Sequence, residues 1–402
     1  MVKDIQLYKL LSDQVKPLHQ ELVQMRRHLH QHPETGWNEV ETSAFIKHKL
    51  TERGFSYKNG LAGTGFYIEV EGEHPGPTIA WRADMDALPI QDEKTVSYHS
   101  KKTGVSHMCG HDVHSTVAFG IADILNQHKD LIKGKVRVFW QPAEETQPSG
   151  APVMIQDGVL HNVKSVFAMH CDPTTDSGQI SFCYGAETAA FDSFIFEVES
   201  SSPQHSARPH KGPDSMWISI QIIQHLYQYV GRMFDPLEPT VLSICQFQGG
   251  DALNVIPKKV TFGGTFRTVK EEYRQMMRSW VTTLASNMAA QHDVYVNVKF
   301  GLGAPAVMND EKLYRFAKKE IINTLGRDKF PLRKQSMGGE DFGFYTAETP
   351  GLFLRIGSRC NADTAHPLHS SFFDIDERIL GPTCAFASNL LIKHLNEFES
   401  LQ

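Results

Sequence analysis

The order of strand-like and helix-like segments constrains the fold of this chain most strongly. Between residues 64 and 170, short β-rich apolar runs alternate with amphipathic helical runs. Such alternation is typical of an α/β domain with a largely parallel central sheet. From residue 191 to 301 the order becomes β-α-β-β-α-β, which is typical of a ferredoxin-like module. We therefore expect an α/β fold in which helices flank a mixed, largely parallel sheet, with an inserted ferredoxin-like α+β domain.

The change of pattern also predicts the domain boundaries. A chain of 402 residues is long enough for two domains. The ends of a ferredoxin-like module lie close together, so such a unit can interrupt a larger domain. We expect residues 1–184 and 301–402 to form the two parts of the larger domain. Residues 185–300 are expected to form the inserted one.

Composition excludes some classes of partner. The chain has 40 Lys and Arg against 46 Asp and Glu, which leaves none of the clustered basic surface that nucleic acid requires. No apolar run approaches the roughly 18–20 residues that span a bilayer. The start of the chain lacks the apolar core of a signal peptide, and the 6 cysteines are scattered without a CxxC pair. We expect a cytoplasmic protein without nucleic-acid or membrane partners.

One short segment combines a thiol with three imidazoles. Cys109 and His111 are separated by a single residue, so a turned backbone can direct both side chains at one ion. Ligands of this kind suit zinc or a neighbouring transition metal. The alternative, a buried structural thiol, is less favoured for Cys109 because of the adjacent histidine. The flanking His107 and His114 are expected to tune the site or to fill space.

Further candidate ligands follow strand-like runs. Glu144 and Glu145 come after one such run, His170 ends another, and His369 lies near the C-terminus. In α/β sheets, ligands bind at the carboxyl ends of strands. One catalytic zinc typically has three protein ligands and a water, and this larger set suits two ions that share a bridging group. The sequence therefore predicts a two-metal centre.

Several of these residues have a second interpretation. The consecutive Glu144 and Glu145 point in different directions, so that one can bind metal while the other acts as a general base. The less favoured alternative is two solvated glutamates in a loop. His170 could be a core histidine, and its neighbour Cys171 is a competing ligand. Asp86 and Asp84 either cap a loop or orient a ligand histidine.

Other catalytic classes find little support. The sequence contains no GxSxG elbow, no P-loop, and no GxGxxG that opens a helix after a strand.

Taken together, eight segments resemble the M20 metallopeptidases, specifically the amidohydrolase branch of N-acyl-amino-acid and auxin-conjugate hydrolases. The resemblance covers nearly the whole chain. The segments are Arg27–Glu34, Arg82–Pro89, Cys109–Asp112, Gln141–Glu145, His205–His210, Gly249–Pro257, Gly338–Phe342 and His366–His369.

The resemblance implies two divalent metal ions per subunit, zinc or manganese, with cobalt or nickel as alternatives. Cys109 resembles the ligand that bridges the ions. The remaining ligands implied by the family are His111, Glu145, His170 and His369. Glu144 resembles the general base, which takes a proton from the attacking water and returns it to the departing amine.

The family also implies a lid domain through which subunits form a homodimer. His205 resembles a lid histidine that reaches across the dimer to stabilise the oxyanion. Asn254 and Arg267 resemble lid residues that hold the substrate, and a fixed guanidinium suits a carboxylate. The alternatives are a turn asparagine and a surface arginine at a strand end.

Two departures from the wider superfamily stand out. Asp84 occupies a position where the superfamily usually has a histidine ligand. An aspartate there is the hallmark of the amidohydrolase branch, so we keep Asp84 out of the ligand set. Residues 200–204 read Ser-Ser-Ser-Pro-Gln, where the branch commonly has Gly-Lys-Gly-Gly. This loop precedes His205 and bears on its proposed role across a dimer.

The sequence therefore predicts a metal-dependent hydrolase that cleaves N-acyl-amino acids or related small amides. A dipeptidase or carboxypeptidase with the same metal centre is the nearest alternative. A non-catalytic protein that binds a metal or ligand on this scaffold is an alternative of another class, and retention of Glu144 with the full ligand set argues against it.

Overall fold

Secondary structure is described for residues 2–401 of this computed structural model, and side chains for residues 6–399. The helices are α1 (Val2–Gln31), α2 (Val40–Glu52), α3 (His111–Gln127), α4 (Gly150–Gln156), α5 (Ser215–Met233), α6 (Glu271–His292), α7 (Glu311–Thr324), α8 (Phe342–Glu348) and α9 (Leu380–Leu401). The strands are β1 (Lys58–Leu61), β2 (Gly65–Glu71), β3 (His74–Asp84), β4 (Lys133–Gln141), β5 (Val163–Asp176), β6 (Ile180–Ser181), β7 (Gly185–Ala186), β8 (Ala190–Glu199), β9 (Gln204–His205), β10 (Thr240–Gln248), β11 (Val255–Ile256), β12 (Lys259–Thr268), β13 (Tyr295–Phe300), β14 (Met308–Asn309) and β15 (Gly351–Arg359).

The chain divides into two compact units. The first comprises Met1–Glu187, Met308–Lys334 and Phe344–Gln402. The second comprises Thr188–Val307 and Gln335–Gly343. The boundaries expected from the sequence, 185 and 300, do not anticipate the short segment 335–343, which returns to the second unit.

The first unit is built on one mixed sheet. Its strand order is β1-β2-β4-β3-β5-β15-β14-β7, with β6 paired to β15. The central neighbours β4-β3-β5-β15 are parallel, which confirms the predicted α/β class with a largely parallel sheet. Residues 166–169 of β5 are buried on both faces, as expected for a parallel strand that is covered on each side.

The carboxyl ends of the central strands carry the polar residues of interest. β3 ends at Asp84 and β4 ends at Gln141, two paired positions in the same parallel ladder. Helix α3 begins at His111, directly after the loop that contains Cys109. Nearly the whole of α3 is buried, so its first turn is held firmly against the sheet.

The second unit contains a four-stranded antiparallel sheet in the order β10-β12-β8-β13. Apart from the two-residue strands, its elements follow one another as β8-α5-β10-β12-α6-β13. Phe194, Phe196 and Phe262 point from the sheet into a core that α5 and α6 cover with Ile222 and Val281.

A search for membrane spans across the described residues finds no helix with the length and apolar character that crossing a bilayer requires.

Candidate metal centre

Five potential ligands converge in the first unit, although they come from four separate parts of the chain. The ligand atoms of Cys109, His111 and His170 lie within 4.8 Å of one another. The same limit groups Cys109 with Glu145 and His369. Cys109 belongs to both groups, which is the arrangement expected of a bridging ligand.

Individual distances define the cluster more closely. Cys109 Sγ lies 3.3 Å from His170 Nε2. Glu145 Oε1 lies 3.2 Å from His369 Nε2 and 3.9 Å from His111 Nε2. Glu144 joins His111 and Glu145 in a further group with the same 4.8 Å limit. A carboxylate that can act as a base therefore lies beside the ligand atoms.

Second contacts orient the two buried ligand histidines. His111 Nδ1 lies 3.2 Å from Asp86 Oδ1, and Asp86 Oδ2 accepts a hydrogen bond of 2.9 Å from the Glu145 backbone N–H. His170 Nδ1 lies 2.8 Å from the carbonyl oxygen of Cys171. When Nδ1 of each ring carries the proton, Nε2 presents a lone pair to the cluster.

The cluster fits divalent cations. His111 Nε2 is buried and has no hydrogen-bond partner. Leaving such an atom unpaired costs free energy, on the order of 1–3 kcal/mol, and a coordinated cation would satisfy it. One thiol, three imidazoles and a carboxylate form a donor set that suits zinc, manganese, cobalt or nickel.

The electrostatics of the site also favour divalent cations. Burial raises the pKa of the Cys109 thiol well above its usual range, and the charges of Glu145 and Glu144 raise it further. Burial lowers the pKa of His111, but Asp84, Asp86 and Glu145 outweigh burial and raise that pKa to about 10. The carboxylates thus create a strongly negative environment, in which cations are stabilised and would convert the thiol to a thiolate.

Asp84 is committed to other partners. Its Oδ2 accepts a hydrogen bond of 2.5 Å from Arg82, and its Oδ1 lies 2.6 Å from His114 Nδ1. His114 Nε2 in turn accepts a hydrogen bond of 3.1 Å from the backbone N–H of Cys171. These contacts engage both carboxylate oxygens of Asp84, and His114 links Asp84 to the backbone of β5. The ligand atoms of Asp84, His111 and His114 nonetheless lie within 4.8 Å of one another, so the exclusion of Asp84 from the ligand set stays a prediction.

Unusual backbone conformations occur next to the ligands. Gly110 has φ +87°, His369 has φ +66° and Ala143 has φ +56°. A non-glycine residue in this region costs about 1–2 kcal/mol, so local contacts must hold it there. For His369, one such contact is a hydrogen bond of 2.7 Å from its backbone N–H to the carbonyl of Met108.

A buried network of ion pairs and hydrogen bonds connects helix α1 to the ligand loops. Arg26 donates to Asp112 Oδ2 at 2.9 Å and to Asp374 Oδ1 at 2.9 Å. Asp112 directly follows His111, and Asp374 lies in the loop after His369. His30 Nδ1 also lies 2.7 Å from Asp112 Oδ2. Sequence reasoning missed this network; the only signal for it was a pair of polar residues, spaced by four, within an otherwise apolar helical stripe.

Three predicted site residues belong to the second unit. His205 is exposed at the end of β9, where it pairs with Val255. Asn254 precedes β11, and its carbonyl accepts a hydrogen bond of 3.1 Å from the Ser206 backbone N–H. The β9–β11 ladder therefore brings His205 and Asn254 together. Arg267 lies on β12 and donates to the carbonyl oxygen of Met337 at 2.9 Å.

A model of one protein family matches residues 80–393 of the chain, and its description is peptidase family M20/M25/M40. Among curated relatives, the chain is 36% identical over 367 residues to the N-acetyl-L-cysteine deacetylase of Bacillus subtilis, which covers 90% of this chain and 85% of that one. It is 35% identical over 353 residues to the N-acyl-L-amino acid amidohydrolase of Geobacillus stearothermophilus, which covers 88% of this chain and 94% of that one.

A solved structure matches as well. The YXEP protein of Bacillus subtilis, described as a dinuclear metal binding peptidase from the M20 family, superposes with a TM-score of 0.82 at 33% identity. The match covers 95% of this chain and 99% of that one.

Proposed function

The chain belongs to peptidase family M20/M25/M40, in its amidohydrolase branch, and from that premise we propose that it hydrolyses the amide bond of N-acyl-amino acids. The observation that carries the proposal is the convergence of Cys109, His111, Glu145, His170 and His369 within the first unit. Relatives named as an N-acetyl-L-cysteine deacetylase and an N-acyl-L-amino acid amidohydrolase support this substrate class.

The five converging side chains would hold two divalent cations, with zinc or manganese as first choices and cobalt or nickel as alternatives. Such cations, when bound, polarise an amide carbonyl and lower the pKa of water. In our proposal Cys109 would hold both ions, and Asp86 orients His111 through its ring Nδ1. The reducing cytoplasm that we propose for this protein would keep the Cys109 thiol free for this task.

Glu144 is the proposed general base. Its carboxylate takes a proton from the attacking water and then delivers it to the nitrogen of the departing amine. Its grouping with His111 and Glu145 inside 4.8 Å supports this role. A positioned base of this kind typically contributes on the order of 10²- to 10⁴-fold to the rate.

We assign the second unit the role of a lid through which two copies of the chain pair. Strand β10 stands first in its sheet, so one of its edges has no partner strand within the described unit. Exposed apolar side chains on α5 and β10 include Trp217, Ile220 and Phe247. An open edge beside exposed apolar residues is typical of an interface. His205 would then stabilise the oxyanion across the dimer, and Asn254 and Arg267 would hold the substrate carboxylate.

The lid pairing is tested by the mass of the protein in solution. Phe247→Lys on the open edge of β10 is expected to turn a dimer into a monomer in sedimentation velocity. Tyr295→Lys is the matched control, because Tyr295 is 60% exposed on β13 at the other end of the sheet. A wild-type monomer, or equal behaviour of the two variants, would contradict this assignment.

The activity is tested with a substrate panel. Purified protein is assayed on N-acetyl, N-benzoyl and long-chain acyl amino acids beside dipeptides, while elemental analysis records its metal content. We expect release of amino acid from the acyl substrates. Turnover of dipeptides alone would favour a dipeptidase, and turnover of nothing in the metal-loaded protein would favour a non-catalytic binding role.

Two substitutions separate metal binding from base catalysis. Glu144→Gln should retain the metal content and lose turnover by at least about 10²-fold. Cys109→Ala should instead lose metal. Glu73→Gln is the control, since Glu73 is an exposed carboxylate in the same unit. Normal turnover in Glu144→Gln would refute the base assignment, and unchanged metal content in Cys109→Ala would remove this residue from the ligands.

A further inference from the structure

One buried carboxylate of the first unit has no part in the chemistry proposed above. Glu39 follows the turn between α1 and α2 and has no solvent exposure. It stands at the N-cap position of α2, yet its side chain makes no capping hydrogen bond to that helix. Burying a carboxyl group is costly, so its hydrogen bonds must serve another purpose.

Those hydrogen bonds lead to the loop that carries Glu144. Glu39 Oε1 accepts from the backbone N–H of Ala143 at 2.8 Å and from that of Trp37 at 3.1 Å. Its Oε2 accepts from the Thr64 hydroxyl at 3.1 Å. Ala143, with φ +56°, immediately precedes Glu144. The direction in which the Glu144 side chain leaves the backbone therefore depends on a strained residue that Glu39 holds.

The turn at residues 36–39 contacts this loop at two more places. Trp37 Nε1 donates to the carbonyl oxygen of Pro148 at 2.9 Å. A Cβ added at Gly36 would lie 2.6 Å from Thr146 Cγ2 and 3.2 Å from Ala143 Cα, so a larger residue would push the Thr146 side chain and the Ala143 backbone away. Residues 36–39 thus approach this loop at Ala143, Thr146 and Pro148.

A further contact extends the turn to the neighbouring strand end. The backbone N–H of Ala87 donates to the carbonyl oxygen of Glu34 at 2.7 Å. Ala87 directly follows Asp86, whose carboxylate contacts His111 and the backbone of Glu145. One short turn is therefore attached to the loops after both β3 and β4.

From these contacts we propose that Glu39 is a positioning residue for hydrolysis, which fixes the backbone at Ala143 and thereby aims the Glu144 carboxylate at the attacking water. This inference rests on the proposed function, because it takes Glu144 as the base. Glu39 acts only through the loop backbone and touches neither substrate nor metal ligand.

The test compares Glu39→Leu with Glu39→Gln. Leucine removes the acceptor of the Ala143 N–H, whereas the amide oxygen of glutamine keeps it and the amide nitrogen can donate to the Thr64 hydroxyl. We expect Glu39→Leu to lower kcat by roughly 10- to 100-fold, as small misplacements of catalytic groups do, with KM and metal content unchanged. Glu39→Gln should restore kcat to within about threefold of wild type. Glu41→Leu, an exposed glutamate on the same helix, is the control.

Three results would overturn the inference: wild-type kcat in Glu39→Leu, equal damage in both Glu39 variants, or a fall in activity that follows loss of metal. If Glu39→Leu does not fold, Thr64→Val decides, because this nearly isosteric change removes the hydroxyl that donates to Glu39 Oε2. Lower kcat at an unchanged melting temperature then supports the inference, and unchanged kcat refutes it.

Glu144→Gln, assayed in parallel, separates the two proposals. If it retains wild-type turnover, the proposed function of Glu144 fails whatever Glu39 does. If it is inactive while Glu39→Leu keeps its kcat, only the positioning role of Glu39 fails.

Discussion

Two neighbouring arginines on α1 offer a sharp test of what stabilises the metal-binding unit. Arg26 is fully buried and contacts three carboxylates, at 2.9 Å to Asp112, 2.9 Å to Asp374 and 3.3 Å to Glu377. Arg27 forms an ion pair with Glu377 at 2.6 Å, and its side chain is 42% exposed. The two residues have the same chemistry and nearly the same position in the chain, but opposite burial.

Burial decides the expected cost of removing each charge. Arg26→Met leaves the buried carboxylates of Asp112 and Asp374 without their guanidinium partner, and such a loss typically costs about 3–5 kcal/mol. Arg27→Met breaks a half-exposed ion pair, which is typically worth less than about 1 kcal/mol. We therefore expect the free energy of unfolding to fall by about 4 kcal/mol in the first variant and by less than about 1 kcal/mol in the second.

Urea denaturation of the metal-free proteins, followed by tryptophan fluorescence, measures both values. Trp81 and Trp140 are fully buried in the same unit and report on its unfolding. Equal losses in the two variants, or a loss below about 1 kcal/mol for Arg26→Met, would refute the reasoning that this network is a buried brace. If Arg26→Met loses about 4 kcal/mol of unfolding free energy but keeps its metal affinity, Arg26 stabilises the unit without affecting the ligand loops.

Two more predictions concern buried groups of the same unit. Burial lowers the pKa of His394 to about 4, and Asp310 partly offsets this effect. The buried neutral ring therefore makes its full contribution to stability above pH 6.5, and this contribution is lost as the pH falls toward 4. We expect His394→Gln to remove this loss. The difference in unfolding free energy between wild type and variant, measured by urea denaturation, should therefore be smaller at pH 5.0 than at pH 7.5 by roughly 2 kcal/mol. An equal difference at the two pH values would show that His394 does not titrate this way. Gly110→Ala should weaken metal retention, because a Cβ at φ +87° would lie 3.1 Å from Cys171 Sγ, whereas Gly104→Ala at φ +73° meets no neighbour within 4 Å. Equal metal content in the two alanine variants would contradict that prediction.

The local sequence was sufficient to predict most elements of the fold. The strands Thr240–Gln248 and Lys259–Thr268 lie in the region for which the sequence predicts the order β-α-β-β-α-β. The α/β class follows from the alternation of short apolar runs with helices. Helix α3 begins at His111, directly after Gly110, whose φ of +87° allows the chain to turn into the helix. The pattern of hydrophobic residues does not reveal such a turn.

The candidate ligands could be chosen because residue type and spacing carry their chemistry. Asp86 could also be proposed as a residue that orients a ligand histidine, but the contacts that hold the ligand loops could not, since most of them join residues far apart in sequence. Arg26 meets Asp112 across 86 positions, and Glu39 meets Ala143 across 104. In the sequence, Glu39 is simply an acidic residue at a helix start, where its charge would ordinarily interact favourably with the helix dipole. Only the path of the chain shows that it contacts a different loop.

The most direct test of the metal centre is an anomalous difference map from crystals of the zinc-loaded protein. We expect two peaks, about 3.5–4 Å apart, with Cys109 Sγ between them at about 2.3 Å from zinc. The remaining ligands at these peaks should be His111, Glu145, His170 and His369. Peaks confined to other residues, or a fully loaded protein without a peak in reach of Cys109 Sγ, would contradict it.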